Sequence, residues 1–339
     1  MVDNKSLSGK NRIGYLDILR CMGIILMVLG HVGVNALPNK WIHAFHMPLF
    51  FIVSGFFFKV RPVGENLLRK ARTLLVPYLV IGIFHVVVQS IRKGFDIEFL
   101  RIFLFENTAD PGVPIAGALW YLTAAFTADI VFNAIITRRI SEVMKNAIIA
   151  AVAVSGMACA VFLPFRLPYA IDAGMVGVGF FRIGWIIKEK RQSFDKIPFV
   201  FSVLGLLVFS ALALINGSVN MRTGQYAIWL LFWLNAVGIT LSLWGISKSV
   251  YYWLNNGGRF RRLINWMCGV GKYSIVYLCF NQICILGTNQ IAKLFCDVDR
   301  LNVPLLVMRQ LSVLAVVMVE LRLIQEIVFR TKLKAVFGK

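Results

Sequence analysis

The chain has 339 residues, 58% of them hydrophobic and 15% charged, with a mean hydropathy of +0.74. A soluble domain carries roughly a quarter charged residues, so an ordinary soluble fold is excluded and an integral membrane protein is implied. The net charge of +20 would point to nucleic acid in a soluble protein. Here no basic and aromatic platform lies outside the apolar runs, basic cytoplasmic loops account for the charge, and no nucleic-acid partner is expected.

The polar segment 1–12 is expected to be a cytoplasmic tail. The apolar run after it is too long for a signal-peptide core and lacks a small-residue cleavage site, so the first helix is expected to stay. Apolar windows predict an all-α membrane fold of about ten transmembrane helices, near 13–37, 43–60, 67–91, 115–137, 146–163, 169–188, 197–215, 225–247, 270–291 and 303–329. They form one membrane domain over 13–329, followed by a cytoplasmic tail, 330–339. Pro38, Pro111, Pro114, Pro164, Pro168, Pro198 and Pro304 fall near helix ends, where proline is tolerated. Pro48 and Pro77 fall inside the second and third helices and are expected to kink them. With the N-terminus inside, the cytoplasmic segments hold about three times as many Lys and Arg as the outer ones, which predicts both termini in the cytoplasm. The longest outer segment, 92–114, carries Asp96, Glu98, Glu106 and Asp110 and is expected to lie on the membrane surface or over an outer cavity. The inverted repeat of many transporters is missing. Six cysteines show no CxxC pairing and read as packing residues.

Residues 12–59 concentrate the polar groups of the membrane domain. The first helix carries Asp17, Arg20 and His31 in an otherwise apolar run. Such groups are costly in a span and usually mark a pathway or a site. Arg20 and His31 are eleven positions apart. Eleven steps return to within about 20° of the same helix face and rise about 16 Å, so the two are expected to face one groove at different depths. A very short loop is expected to join this helix to the second.

These stretches resemble a known family. YLDILR, with Arg20 and His31 in an R-x10-H arrangement, is similar to the first helix of the membrane acyltransferase-3 family. FHMPLFFIVSGFFF (45–58) resembles that family's second helix, especially in its sugar O-acetyltransferase branch of fucose 4-O-acetyltransferase type. LLRKARTLLVPY (67–78) resembles the third-helix motif, with Arg69 and Arg72 in R-x-x-R spacing. LWYLTAAF (119–126), IDAGMVGVGFFRIGWIIK (171–188) and GKYSIVYLCFNQ (271–282) are similar to weaker segments. The chain departs from the pattern at Asn281, where many relatives carry histidine. The resemblance implies transfer of an acyl group, commonly acetyl, from a cytoplasmic coenzyme A thioester to a hydroxyl of a sugar or polysaccharide. It also implies that the R-x10-H residues are needed.

Acyl transfer to an alcohol needs a base, oxyanion stabilisation and a held donor. His31 is the candidate base; the alternative is a helix-end histidine bonded to a carbonyl or to interfacial water. Arg20 is expected to bind the donor or set the surroundings of His31, with Asp17 in helical pairing reach; simple neutralisation is the alternative. His46 is expected to orient the acceptor or share proton transfer, or else to be interfacial. His43 is expected to be interfacial and His85 to be packed without a role. Arg69 and Arg72, with Lys70 between them, are expected to hold donor phosphates, although basic helix ends also set topology and meet anionic lipids. Ser54 and Gly55 are candidate donor contacts or close-packing positions. Trp120, Tyr121 and Asp172 are candidate acceptor contacts; an interfacial aromatic belt is the other reading of the rings. No HExxH, zinc spacing or P-loop occurs, so neither a metal nor a permanently bound cofactor is expected, and acetyl-CoA enters as donor substrate.

The leading expectation is a multi-pass cell-membrane (plasma or inner membrane) O-acetyltransferase acting on an envelope sugar, polysaccharide or glycolipid, with acyl-CoA, the acceptor, the lipid bilayer and possibly envelope-biosynthesis proteins as partners. The competing readings are a glycolipid or polysaccharide transporter or flippase, and a structural subunit of an envelope-biosynthesis complex.

Overall fold

The computed structural model describes residues 13–106, 116–256, 258–295 and 302–338. The segment 1–12, Asp110, Pro111, Pro114 and Cys296 lie outside the described residues. The helices are α1 (Gly14–His31), α2 (Ala36–His43), α3 (His46–Phe56), α4 (Val63–Lys70), α5 (Val76–Lys93), α6 (Ile97–Phe105), α7 (Trp120–Ile136) and α8 (Glu142–Phe162). They continue as α9 (Ile171–Glu189), α10 (Arg191–Phe194), α11 (Phe199–Ile215), α12 (Trp229–Asn255), α13 (Arg261–Lys272), α14 (Ser274–Phe295) and α15 (Val303–Arg330). One antiparallel hairpin, β1 (Val219–Asn220) and β2 (Gln225–Tyr226), separates α11 from α12.

Each predicted apolar run contains a helix, though not over its full predicted length. Among the described residues, seven helical stretches are long and apolar enough to cross a membrane: Gly14–His31, Val63–Lys93, Gly117–Ile136, Glu142–Phe162, Pro168–Glu189, Trp229–Asn255 and Ser274–Leu294. The other three predicted runs depart for different reasons. α3 has 11 residues and α11 has 17, while α15 has 28 but carries Arg309, Glu320, Arg322 and Glu326. Large apolar side chains remain exposed along α5, α11 and α15, among them Ile83, Leu207 and Val319, as expected of faces that meet lipid.

Several details correct the sequence reading. The joint between the first two predicted helices is not a short loop but a separate helix, α2. Pro38 sits in its first turn, where no N–H is needed. α2 is tied to α11 by Lys40 Nζ donating to the Leu214 carbonyl (2.6 Å) and Trp41 Nε1 donating to Ser210 Oγ (2.8 Å). Pro48 lies in the first turn of α3 and so breaks no helical hydrogen bond. Pro77 has no N–H for the carbonyl one turn back; the chain answers with a π-helical turn over Ala71–Leu75 rather than a sharp kink. Residues 219–226, partly expected in a helix, form the hairpin instead.

α1 is the axis of the bundle. It packs against α3, α12, α13, α14 and α15, burying Leu16, Ile18, Leu19, Ile24 and Val28. α3 lies between α1 and α9 and is buried along nearly its whole length. Backbone meets backbone there: a side chain on Gly55 would strike the main chain of Phe181, and one on Gly184 would strike that of Ile52. Small residues permit this approach where no water drives association. Edge-on rings of Phe51, Tyr121, Phe58, Phe132 and Phe181 fill the space alongside.

α4 is fastened to α7 by a buried polar knot. Asp129 is 1% exposed. It accepts from Asn66 Nδ2 at 2.8 Å and pairs with Lys70 Nζ at 2.6 Å. Replacing Lys70 with Met leaves the Asp129 carboxylate buried without its cation. The expected loss is about 2–3 kcal/mol, the low end for a broken buried pair because Lys70 is partly exposed. Thermal unfolding in detergent should show a clearly lowered midpoint for Lys70→Met and partial recovery when Asp129→Asn is added.

Candidate active site

The C-terminal end of α1 opens on a cavity of about 60 Å³ lined by His31, His43, His46, Trp120, Asn220 and Arg222, with Met27, Met47 and Leu278 as apolar wall. The break between α2 and α3 brings the imidazoles together. His31 ends α1, His43 ends α2 and His46 begins α3. The rings of His43 and His46 meet edge to face at 5.0 Å. In all three residues Nδ1 stands 2.8 Å from the carbonyl one turn back, that of Met27, Asn39 and Ile42 respectively. A carbonyl only accepts, so each Nδ1 carries a proton. In the neutral ring Nε2 then keeps its lone pair, which is the state a general base requires.

Arg222 comes from the four-residue turn of the hairpin. Its backbone N–H is fixed by Asn220 Oδ1 at 2.9 Å, and Gly224 supplies the positive φ of 71° that closes the turn. The guanidinium lies flat over Gly117, just ahead of α7, where any side chain would overlap it.

A second cavity, about 800 Å³, opens at the N-terminal end of α1. α1, α12, α13 and α15 wall it, and its polar lining includes Tyr15, Asp17, Arg191, Lys272, Arg322 and Glu326. Arg322 pairs with Glu326 (2.6 Å), and Arg191 with Asp195 (3.1 Å), which also accepts from the Tyr15 hydroxyl and from Trp244 Nε1. Asp17, on this cavity, and His31, on the other, are fourteen residues apart on one helix, about 21 Å along its axis.

The structure distributes the expected site residues unevenly. His31, His46 and Trp120 share the histidine cavity. Arg20 does not line it and sits, as the eleven-residue spacing implies, at a different depth, about 16 Å along α1 from His31. Arg20 lies 3.6 Å from Asp17 and over the Phe57 ring, 4.6 Å from its centroid. Tyr121 is buried, and its ring meets that of Phe51 on α3 edge to face at 5.0 Å. Ser54 and Gly55 lie on α3, Gly55 against the main chain of Phe181 on α9, and neither lines either cavity. Asp172 is fully buried, pairs with Arg166 at 2.7 Å and accepts from its neighbour's N–H, away from the histidine cavity. Arg69 and Arg72 are exposed and line neither cavity. Asn281 is buried, with Nδ2 donating to the carbonyls of Tyr277 and Leu278. Arg182 and Arg309 have partners as well, Glu142 and Asn289.

Sequence reasoning missed His43, although a signal existed: three of the chain's four histidines fall within residues 31–46. It also missed Arg222, which reaches the histidine cavity from the hairpin, and the group of Arg191, Lys272 and Arg322, for which no local pattern exists because they converge from three distant stretches.

A family model described as an acyltransferase domain matches residues 13–319. No curated protein and no solved structure matches the chain significantly. The match covers the axial helix α1 and every residue lining the histidine cavity, while Arg322 and Glu326 of the second cavity lie just beyond it, and the chain belongs to the acyltransferase-3 family of membrane acyltransferases.

Proposed function

We propose that the protein is an O-acyltransferase that moves an acetyl group from acetyl-CoA to a hydroxyl of a cell-envelope sugar, polysaccharide or glycolipid, with His31 as general base. One observation carries this reading. A single buried helix presents, at one end, an imidazole whose Nδ1 is tied to a carbonyl and whose ring lines a cavity. At its other end it borders a roomy cavity set with Arg191, Lys272 and Arg322. The first suits proton abstraction from an alcohol; the second suits a donor bearing several phosphates.

In this reading both termini lie in the cytoplasm. The cationic cavity takes the donor from inside, and the acceptor reaches His31 from the outer side, beside Trp120 and the hairpin. Arg191, Lys272 and Arg322 take over the donor role that charge and the family resemblance gave to Arg69 and Arg72, because they converge on one hollow. His46 and His43 stand next to the base, positioned to orient the acceptor hydroxyl. Arg20 lies between the two ends, paired with Asp17, on the path the donor's arm follows.

The deciding experiment is acetyl-CoA turnover by purified, monodisperse protein with an acceptor glycan. His31→Ala is expected to cut the rate by about 10² to 10⁴, the range for loss of a general base. A wild-type rate would sink the assignment and move the search to His46.

Donor kinetics give a second test. Lys272→Gln and Arg322→Gln are each expected to raise KM for acetyl-CoA about tenfold, the equivalent of ~1.4 kcal/mol per lost charge-assisted contact. The double variant Arg69→Gln/Arg72→Gln is expected to leave it unchanged. The opposite pattern would return the donor to the third-helix arginines.

Sidedness is tested with single cysteines in a background without native ones. An impermeant thiol reagent should label intact cells or spheroplasts at Thr223→Cys, on the hairpin, and not at Ser193→Cys, on α10. Labelling at 193 would overturn the orientation.

A further inference from the structure

The hairpin between α11 and α12 is short and polar and delivers one long cation into a cavity otherwise lined by imidazoles, the Asn220 amide, the Trp120 indole and apolar side chains. Three observations single out Arg222. It lines the same 60 Å³ cavity as His31, His43 and His46. Its placement is enforced twice, by the Asn220 side chain holding its backbone N–H and by Gly117 leaving a flat seat for the guanidinium. Its charge also acts on both His31 and His43. Among the described residues of the lining, it is the one whose charge does not depend on pH.

We infer that Arg222 is a catalytic residue of the acyl transfer, whose guanidinium N–H groups hold the oxygen that becomes negative when the acceptor attacks the thioester. This rests on the acyl-transfer reading above. In the step, the acceptor O–H bond breaks and its proton passes to His31 Nε2 while the acceptor oxygen bonds to the thioester carbon. The carbonyl π pair moves onto its oxygen, and that oxyanion lies against Arg222. Collapse re-forms the C=O bond and breaks the C–S bond, and the leaving thiolate takes the proton from His31. The products are the ester and free coenzyme A thiol. A fixed guanidinium suits this task because it needs no reorganisation as the charge develops, and the small cavity leaves little water to screen it. The imidazoles serve this less well: each has its Nδ1–H committed to a carbonyl, and its neutral Nε2 carries no proton to donate.

The test compares the purified wild type with Arg222→Lys, Arg222→Gly and Gly117→Ala, measuring kcat, KM for acetyl-CoA and thermal midpoint. Arg222→Gly is expected to lower kcat about 10² to 10³-fold, as for loss of an oxyanion donor, with donor KM unmoved. Added guanidinium chloride at sub-denaturing concentration should restore part of that rate in Arg222→Gly and in no other variant. Arg222→Lys should retain more activity than Arg222→Gly. Gly117→Ala, which displaces the guanidinium without removing it, should lower kcat with the donor KM unchanged. A wild-type kcat in Arg222→Gly overturns the inference while leaving His31 untouched. So does a loss that guanidinium fails to rescue and that tracks a fallen thermal midpoint, because Arg222 would then be a support for the hairpin. Absence of acetyl-CoA turnover in the wild type would remove the parent reading and this inference together.

Discussion

In α1, α2 and α3 a histidine ring nitrogen faces the carbonyl one turn back, and because a carbonyl accepts and never donates, the far nitrogen of each neutral ring is left with its lone pair. The chemistry of the histidine cavity depends on this. It fixes the tautomer and the ring plane using the helices' own backbone, so no carboxylate is required to orient the base. It also explains why the chain breaks where it does. Had residues 36–56 formed one continuous helix, His43 and His46 would stand one turn apart along a single axis. The turn at Ala44–Phe45 instead puts them at two helix ends, edge to face.

Around this point the fold is built for stiffness. The contact of α3 with α9 is main chain against main chain, and the aromatic rings beside it pack edge to face. Ion pairs and polar knots are kept at the margins of the bundle, as at Lys70–Asp129 and Arg166–Asp172, where they satisfy buried carboxylates. The polar residues of the spans thus divide into two kinds. Most are matched to a partner and hold helices together, while those at the two ends of α1 face cavities.

Much of the helical architecture was legible in the sequence, because apolar periodicity and charge asymmetry are averaged over many residues. His31, His46 and Trp120, which line one cavity, stood out in the sequence for a related reason: each is a polar or aromatic residue at the end of an apolar run. What could not be read was convergence. Arg222 reaches the cavity through a hairpin that local composition does not announce, and Arg191, Lys272 and Arg322 meet through tertiary packing. Arg69 and Arg72 show the converse, since their spacing was correct yet their side chains point into the open. Arg20 was placed at a different depth from His31 by the axial rise, but its seat over the Phe57 ring was not legible, because that contact comes from packing against the end of α3.

α3 has a consequence for how the protein is made. Its 11 residues cover about 16 Å, roughly half the hydrocarbon thickness of a bilayer. A segment that short has no stable transmembrane position of its own; it is held by α1 on one side and α9 on the other. At about 5–20 residues per second, the ribosome completes α9 several seconds after α3 has emerged. During that interval α3 must wait at the membrane surface or against α1, and His46 waits with it. α9 then closes over a helix made more than a hundred residues earlier, and the histidine cavity is complete only later still, once the hairpin and α14 have added Asn220, Arg222 and Leu278 to its wall.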